Sequence, residues 1–407
     1  MIIVTLIKNE LIKILKRTKT WIVFGLFLLC VVGTMFLNNY YAKERALYNS
    51  PEGKIEQLNN QKKYLNEKID SDKQYDDEYS NQEILSLEKE LKKVEEDIKV
   101  QEQLRDKADD PDIWKIALQD EKEILQKEVN DTTIPDRYKT YSKERIEQID
   151  TYLDKNEKPV EEWEFNAINY AKGFIGTIGI VILVLGIATF MSDIVSGEST
   201  PATLKFLLVQ PISRGKVILS KFIAVTLTIL IMICGLELVA FGAVGAIKGF
   251  DGAQMQDKVG VQYEWTTPED GGEPVISPVE NSGESIERVE ALVQSFGLQI
   301  LFIVACCALV MLISVIFKSS MISMAVSMII SIASTMMCLM SSSLGKKVSH
   351  LIFLNYGNTT NVISGDVARV FNNTNFSVSL GVSLMVSTIV VSYVLSHIIF
   401  TKKDILV

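Results

Sequence analysis

The chain has 407 residues, 48% of them hydrophobic, yet 22% are charged and the formal net charge is −9. Those averages combine two unlike polymers: residues 43–164 are dominated by Lys, Glu, Asp and Gln, whereas 173–247 and 294–400 are almost free of charge. Apolar runs that long exclude an ordinary water-soluble domain and point to an integral membrane protein, because about 30 Å of hydrocarbon needs roughly 20 apolar residues.

Residues 1–19 predict a cytoplasmic amphipathic helix lying on the membrane. Val4, Ile7, Leu11 and Ile14 step by three and four along one face, while Lys8, Asn9, Lys13 and Lys16 occupy the other and suit anionic headgroups. A first transmembrane span is expected over 20–41. Its apolar core, Trp21 to Leu37, is long for a signal peptide, and NNYYAKERA offers no small-x-small cleavage site, so an uncleaved anchor is expected. Lys8, Lys13, Lys16, Arg17 and Lys19 before that span place the N-terminus in the cytoplasm by the positive-inside bias.

Residues 42–171 are expected to form an extracellular helical domain. Its stretch 43–164 holds 22 Lys/Arg against 34 Asp/Glu, a net of −12. Ile55, Leu58, Leu65 and Ile69 follow a 3–4 repeat, and Leu87, Leu91, Val94 and Ile98 repeat it in a Lys/Glu background, the pattern of a coiled coil. DSDKQYDDEYSN (70–81) has no periodicity and reads as the bend of an antiparallel hairpin. Further helices are expected over 112–129 and 136–155, bounded by Pro111, Pro135 and Pro159.

A second span is expected over 172–192, a cytoplasmic coupling region over 193–216 and a third span over 217–247. Residues 248–293, rich in Gly, Pro and acids, read as an irregular extracellular loop with a short strand near Val259–Trp265. Spans four and five are expected over 294–317 and 320–342. The extracellular loop 343–376 carries helical spacing at Val348, Leu351, Ile352 and Leu354, a half-helix of the kind membranes tolerate only under protein or water cover. A sixth span over 377–400 and a cytoplasmic tail over 401–407 complete the chain. The expected fold is an all-α membrane protein: six transmembrane helices, an N-terminal interfacial helix, and an extracellular helical coiled-coil insertion between spans 1 and 2. Both termini are expected in the cytoplasm of a bacterial cell, with the spans in its plasma membrane.

Chemistry-bearing residues are sparse. All five cysteines fall inside expected spans, so no disulfide framework is expected outside. The methionines crowding 321–340 around Cys338 fit adaptable apolar packing, or a copper path through thioether ligands. There is no G-x-x-x-x-G-K-[ST], no G-x-S-x-G and no H-E-x-x-H, so no enzyme of known type and no resident cofactor is expected. Glu237 is the one carboxylate deep in a span. A charge at that depth is expensive and usually faces protein or water, so Glu237 reads either as a helix-packing contact or as part of a translocation path for a cation or substrate.

The stretch SGESTPATLKFLLVQPISRGK (196–216) predicts a short helix between two spans. Thr200 suits an N-cap, Pro201 the first turn, Leu204, Leu207 and Leu208 one apolar stripe, and Pro211 the end. Such a helix suits force transmission to a cytoplasmic subunit, or else is a plain interfacial connector.

The string SDIVSGESTPATLKFLLVQPISRGKVILSKFIAV (192–225) resembles the central region of bacterial ABC-2 type transporter permeases. Their E-x-x-x-x-T-L-x-x-L-L-x-x-P-I-S-R-x-x-x-x-x-x-K pattern appears here as Glu198, Thr203, Leu204, Leu207, Leu208, Pro211, Ile212, Ser213, Arg214 and Lys221. IIFTKKDILV is similar to the family's basic tail, at Lys402, Lys403 and Asp404. The resemblance implies two separate ABC ATPase subunits that bring ATP and Mg, a second permease protomer, the same or homologous, and coupling to the ATPases through Glu198, Thr203, Leu204, Leu207, Leu208, Pro211 and Arg214. Membrane lipid is the remaining expected partner, and no nucleic acid is expected. The implied function is export of an amphipathic compound, such as an antimicrobial peptide or a lipid-linked molecule. Sodium export through Glu237, ATP-driven mechanotransmission or sensing through the extracellular coiled coil, and a passive membrane anchor are the alternatives. The insertion at 43–164 departs from compact members of the family.

Overall fold

A computed structural model describes residues 2–73, 78–107, 110, 112–131, 136–156, 158–179, 182–198, 212–267, 274–340 and 343–402. The chain divides into two compact units, residues 38–164 and residues 1–37 with 165–407.

In the unit 38–164, helix α3 (Pro51–Asp72) starts at Ser50, whose Oγ accepts from Gly53 N, with Pro51 in the first turn where its missing N–H costs nothing. It packs along α4 (Glu78–Asp106). Lys62 pairs with Glu95 at 2.9 Å and Lys68 with Glu83 at 2.7 Å, so the numbers run in opposite directions and the helices are antiparallel. Leu65, Ile69, Leu87 and Val94 are buried between them, with Leu58, Leu91 and Ile98 packed alongside. Burying each such side chain is worth about 1.5–3 kcal/mol, against about 0–1 kcal/mol for an exposed ion pair. The apolar stripe therefore holds the hairpin, and the ion pairs set its register. Helices α5 (Ile113–Asn130) and α6 (Asp136–Lys155) form a second antiparallel pair, joined by Arg145 to both carboxylate oxygens of Glu121, by Lys122 to Asp150, and by Ser142 to Glu128 at 2.9 Å. Leu118 and Ile149 are buried in this unit.

The other unit opens with α1 (Ile2–Leu15). A tight elbow joins it to α2 (Thr18–Asn49): Thr20 Oγ1 donates to Ile14 O at 2.7 Å and Trp21 Nε1 to Leu15 O at 2.8 Å. Helices α7 (Ala167–Ile178) and α8 (Ile182–Met191) follow, then α9 (Arg214–Lys248), α10 (Arg288–Ile316), α11 (Ser320–Met340), the short α12 (Ser343–Val348), α13 (Thr359–Ser364) and α14 (Val367–Val370), and finally α15 (Val378–Lys402).

Four described helices are long and apolar enough to cross a membrane: α2, α9, α10 and α15. The expected second span is a pair, α7 and α8, inclined at 62°, and counts as a fifth only if the bent pair is one span. Gly179 lies at this bend, and a Cβ there would run into the carbonyl of Gly357. The expected fifth span corresponds to α11, whose described apolar stretch Ser320–Ser334 is shorter. Helix α10 lies at the centre of the packing because its small residues Ala305, Cys306, Cys307, Ala308 and Ser314 allow neighbours close.

The loop expected to be irregular carries four strands. β1 (Gln256–Val259) pairs antiparallel with β4 (Glu284–Glu287), and β2 (Tyr263–Thr266) with β3 (Val275–Pro278), one ladder nested inside the other. The corners need positive φ: Gly260 at 68° and Gly283 at 86° supply it without a Cβ penalty. Asp257 is gripped by Lys172 at 2.8 Å and Arg288 at 3.1 Å, which ties β1 to α7 and α10. Gly260 N and Val261 N donate to Ile363 O and Ser364 O, and Tyr263 Oη donates to Asp366 Oδ1 at 2.5 Å. The expected half-helix is instead α12 followed by 3₁₀ turns at Ser349–Leu351 and Phe353–Tyr356, with Phe353, Leu354, Asn355 and Tyr356 buried. Asn355 Nδ2 donates to Ser349 O and Asn373 Nδ2 to Lys346 O, so side chains satisfy carbonyls that no long helix can.

Candidate functional site

Of the residues expected to couple to a cytoplasmic partner, Thr203, Leu204, Leu207, Leu208 and Pro211 lie outside the described residues. Glu198 closes a 3₁₀ turn at Ser196–Glu198, and Arg214 opens α9. Both flanks of the stretch 199–211 are built from buried polar contacts.

On the N-terminal flank the turn after α8 is pinned to α10. Ser314 Oγ donates to Ser192 O at 2.8 Å and accepts from Val195 N and Ser196 N at 3.2 Å each. Ser314 is fully buried, so these bonds form away from competing water and leave the turn no alternative partner. Asp193, in the same turn, faces Lys19 at 3.1 Å and Arg17 at 3.6 Å.

On the C-terminal flank Arg214 Nη1 donates to Thr401 O at 3.2 Å. Gly215 lets α9 and α15 approach closely: a Cβ there would sit 2.5 Å from His397 Cε1. Nearly two helical turns into α9, Lys221 is buried to 1% exposure and pairs with Glu10 of α1 at 3.1 Å. The N-terminal helix and its elbow thus hold both flanks, Glu10 on one side and Arg17 with Lys19 on the other.

Lys221 belongs to the motif pattern, but Glu10, Asp193 and Ser314 were not singled out in the sequence. Glu10 is an acid on an otherwise basic helix, which is the signal that marks it. Asp193 and Ser314 carry no local signal, because their partners are at least 174 and 118 residues away.

Glu237 lies about 35 Å along α9 from Arg214, at 1.5 Å per residue, so it is no part of this frame. It is 8% exposed, and Gln299 Nε2 of α10 donates to its Oε1 at 2.8 Å. Gln299 was not singled out either; a lone glutamine in an apolar run reads alike whether it faces lipid or protein. No group of three or more His, Cys, Asp or Glu among the described residues could hold a metal ion.

A family model described as ABC-2 family transporter protein matches residues 4–405. No curated protein matches the chain.

Proposed function

Because the chain belongs to the ABC-2 family of transporter proteins, we propose that it is the permease subunit of an ATP-driven exporter in a bacterial plasma membrane. Its cargo is an amphipathic compound, such as an antimicrobial peptide or a lipid-linked molecule. It works with two ABC ATPase subunits, which bring ATP and Mg, and with a second permease protomer. Six spans cross the membrane, both termini are cytoplasmic, and 42–171 stands outside as a helical coiled-coil domain.

The observation that carries this reading is the family match across nearly the whole chain, joined to four apolar helices of spanning length. The frame around 199–211 supports the assignment of Glu198, Thr203, Leu204, Leu207, Leu208, Pro211 and Arg214 to ATPase coupling. Flanks held to the bundle by such contacts pass a push on to it, whereas loosely tethered flanks would absorb it. Glu237 is the candidate for the translocation path, with helix packing against Gln299 as the other reading of its place.

The compact helical unit 38–164 favours a second reading, in which ATP hydrolysis inside moves this unit outside without cargo. Copurification from native membranes, followed by ATP-driven flux in reconstituted vesicles, separates the two. Export requires both a bound ATPase and flux. A bound ATPase without flux of any amphipathic probe leaves mechanotransmission, and no bound ATPase defeats both.

A further inference from the structure

Glu237 of α9 and Gln299 of α10 meet in the apolar interior, both more than nine-tenths buried. Their single hydrogen bond, Gln299 Nε2 to Glu237 Oε1, leaves two acceptors over. Glu237 Oε2 and Gln299 Oε1 have no hydrogen-bond partner among the described residues. Among the described residues no cation pairs with the carboxyl. The titratable groups that act with it are Tyr170 of α7 and Cys234 of its own helix, neither of which carries positive charge. From α10, among the described residues, Gln299 is the group that bonds to it. Helices α1 and α15 also pack on α9, but the contacts they make through Glu10 and His397 fall at Lys221 and Gly215, turns away.

An ionised carboxylate with one N–H donor and no counter-charge is among the most expensive arrangements a protein interior can hold. Two adjacent acceptors without a donor add the cost of unsatisfied polar atoms. One proton removes both defects. We propose that Glu237 and Gln299 form a proton-binding site, in which Glu237 is a carboxylic acid whose Oε2–H donates to Gln299 Oε1. The acid and the carboxamide then close a ring of two hydrogen bonds and staple α9 to α10. Loss of the proton would set acceptor against acceptor, open the ring and leave the two helices to recruit water between them. This inference concerns the two side chains alone and does not rest on the exporter reading.

Infrared difference spectroscopy on the full-length protein in detergent at pH 7 tests it. The expected result is a C=O stretch of a hydrogen-bonded carboxylic acid that shifts in D₂O and is lost in Glu237→Gln. That variant keeps a two-bond ring between carboxamides, so it should fold as the wild type does. Gln299→Leu should move the acid band to the higher frequency of an unbonded carboxyl. Exchanging choline for sodium at constant ionic strength should leave the band in place. Absence of a Glu237-dependent acid band would show an ionised, water-served carboxylate and overturn the proposal. So would disappearance of the band with sodium, which marks a cation site, or a band unmoved by Gln299→Leu.

Discussion

Glu10 and Lys221, 211 residues apart in the chain, form a buried ion pair at 3.1 Å between the N-terminal helix and the start of α9. Removing one partner of such a pair costs about 3–5 kcal/mol, whereas apolar replacement of both is often near neutral. Glu10→Gln should therefore lower the thermal midpoint of the purified protein, and Glu10→Leu with Lys221→Met should recover most of the loss. A double variant as unstable as the single one would mean that the pair does more than neutralise charge.

Arg214 ties α9 to the C-terminal end of α15 through Thr401 O. Replacing Glu198 and Arg214 by Ala should leave the protein in the membrane yet uncouple ATP hydrolysis from transport, or lose the ATPase in copurification. Wild-type coupling in that variant would remove 198–214 from the ATPase interface.

Residues 38–164 have their own apolar clusters and should fold when expressed alone, with strongly helical circular dichroism. Leu65→Ala, which empties a fully buried position between α3 and α4, should cost about 2–5 kcal/mol in a denaturant titration of that fragment. Lys62→Met should change it little, because the Lys62–Glu95 pair is exposed to water. A coil spectrum in dilute buffer would contradict the self-sufficiency of the unit.

Tyr263 is pushed up to about 12 by burial first and by its hydrogen bond to Asp366 second. A tyrosine titrates near 10 in an unfolded chain. The neutral, donating form is thus favoured in the folded state, and its contribution is intact below about pH 10 and fades as pH rises toward 12. Fluorescence of Trp265, two residues along the same strand, should be flat from pH 6 to 9 and change above that. Tyr263→Phe should abolish the alkaline change and weaken the contact by about 1–3 kcal/mol. A transition at neutral pH would place the control elsewhere.

The long apolar helices were legible because hydrocarbon thickness imposes a length that any window of the sequence reveals. So were the positions Leu65, Ile69, Leu87 and Val94, whose 3–4 spacing follows from helix geometry alone. The bend between α7 and α8 was not legible. No proline marks it, and the demand for Gly179 comes from Gly357, far along the chain. A short strand near Val259–Trp265 was legible and overlaps β2, but the double ladder was not, because each strand is four residues long with mixed exposure and no period of two develops. At the candidate site, Glu237 announced itself as a charge in an apolar run, while Gln299 and Ser314 gained meaning only from partners far along the chain.

The spanning helices differ sharply in how much neighbouring protein covers them. The apolar window of α10 is 67% buried, against 17% for α15 and 11% for α2. A change in bilayer thickness acts on surface that lipid touches, and a helix answers it by tilting. A thinner bilayer therefore bears on α2 and α15, while α10 is shielded from it. Since α15 meets α9 at Gly215 and α2 follows directly from the elbow that holds Asp193, the strain would arrive at the flanks of 199–211.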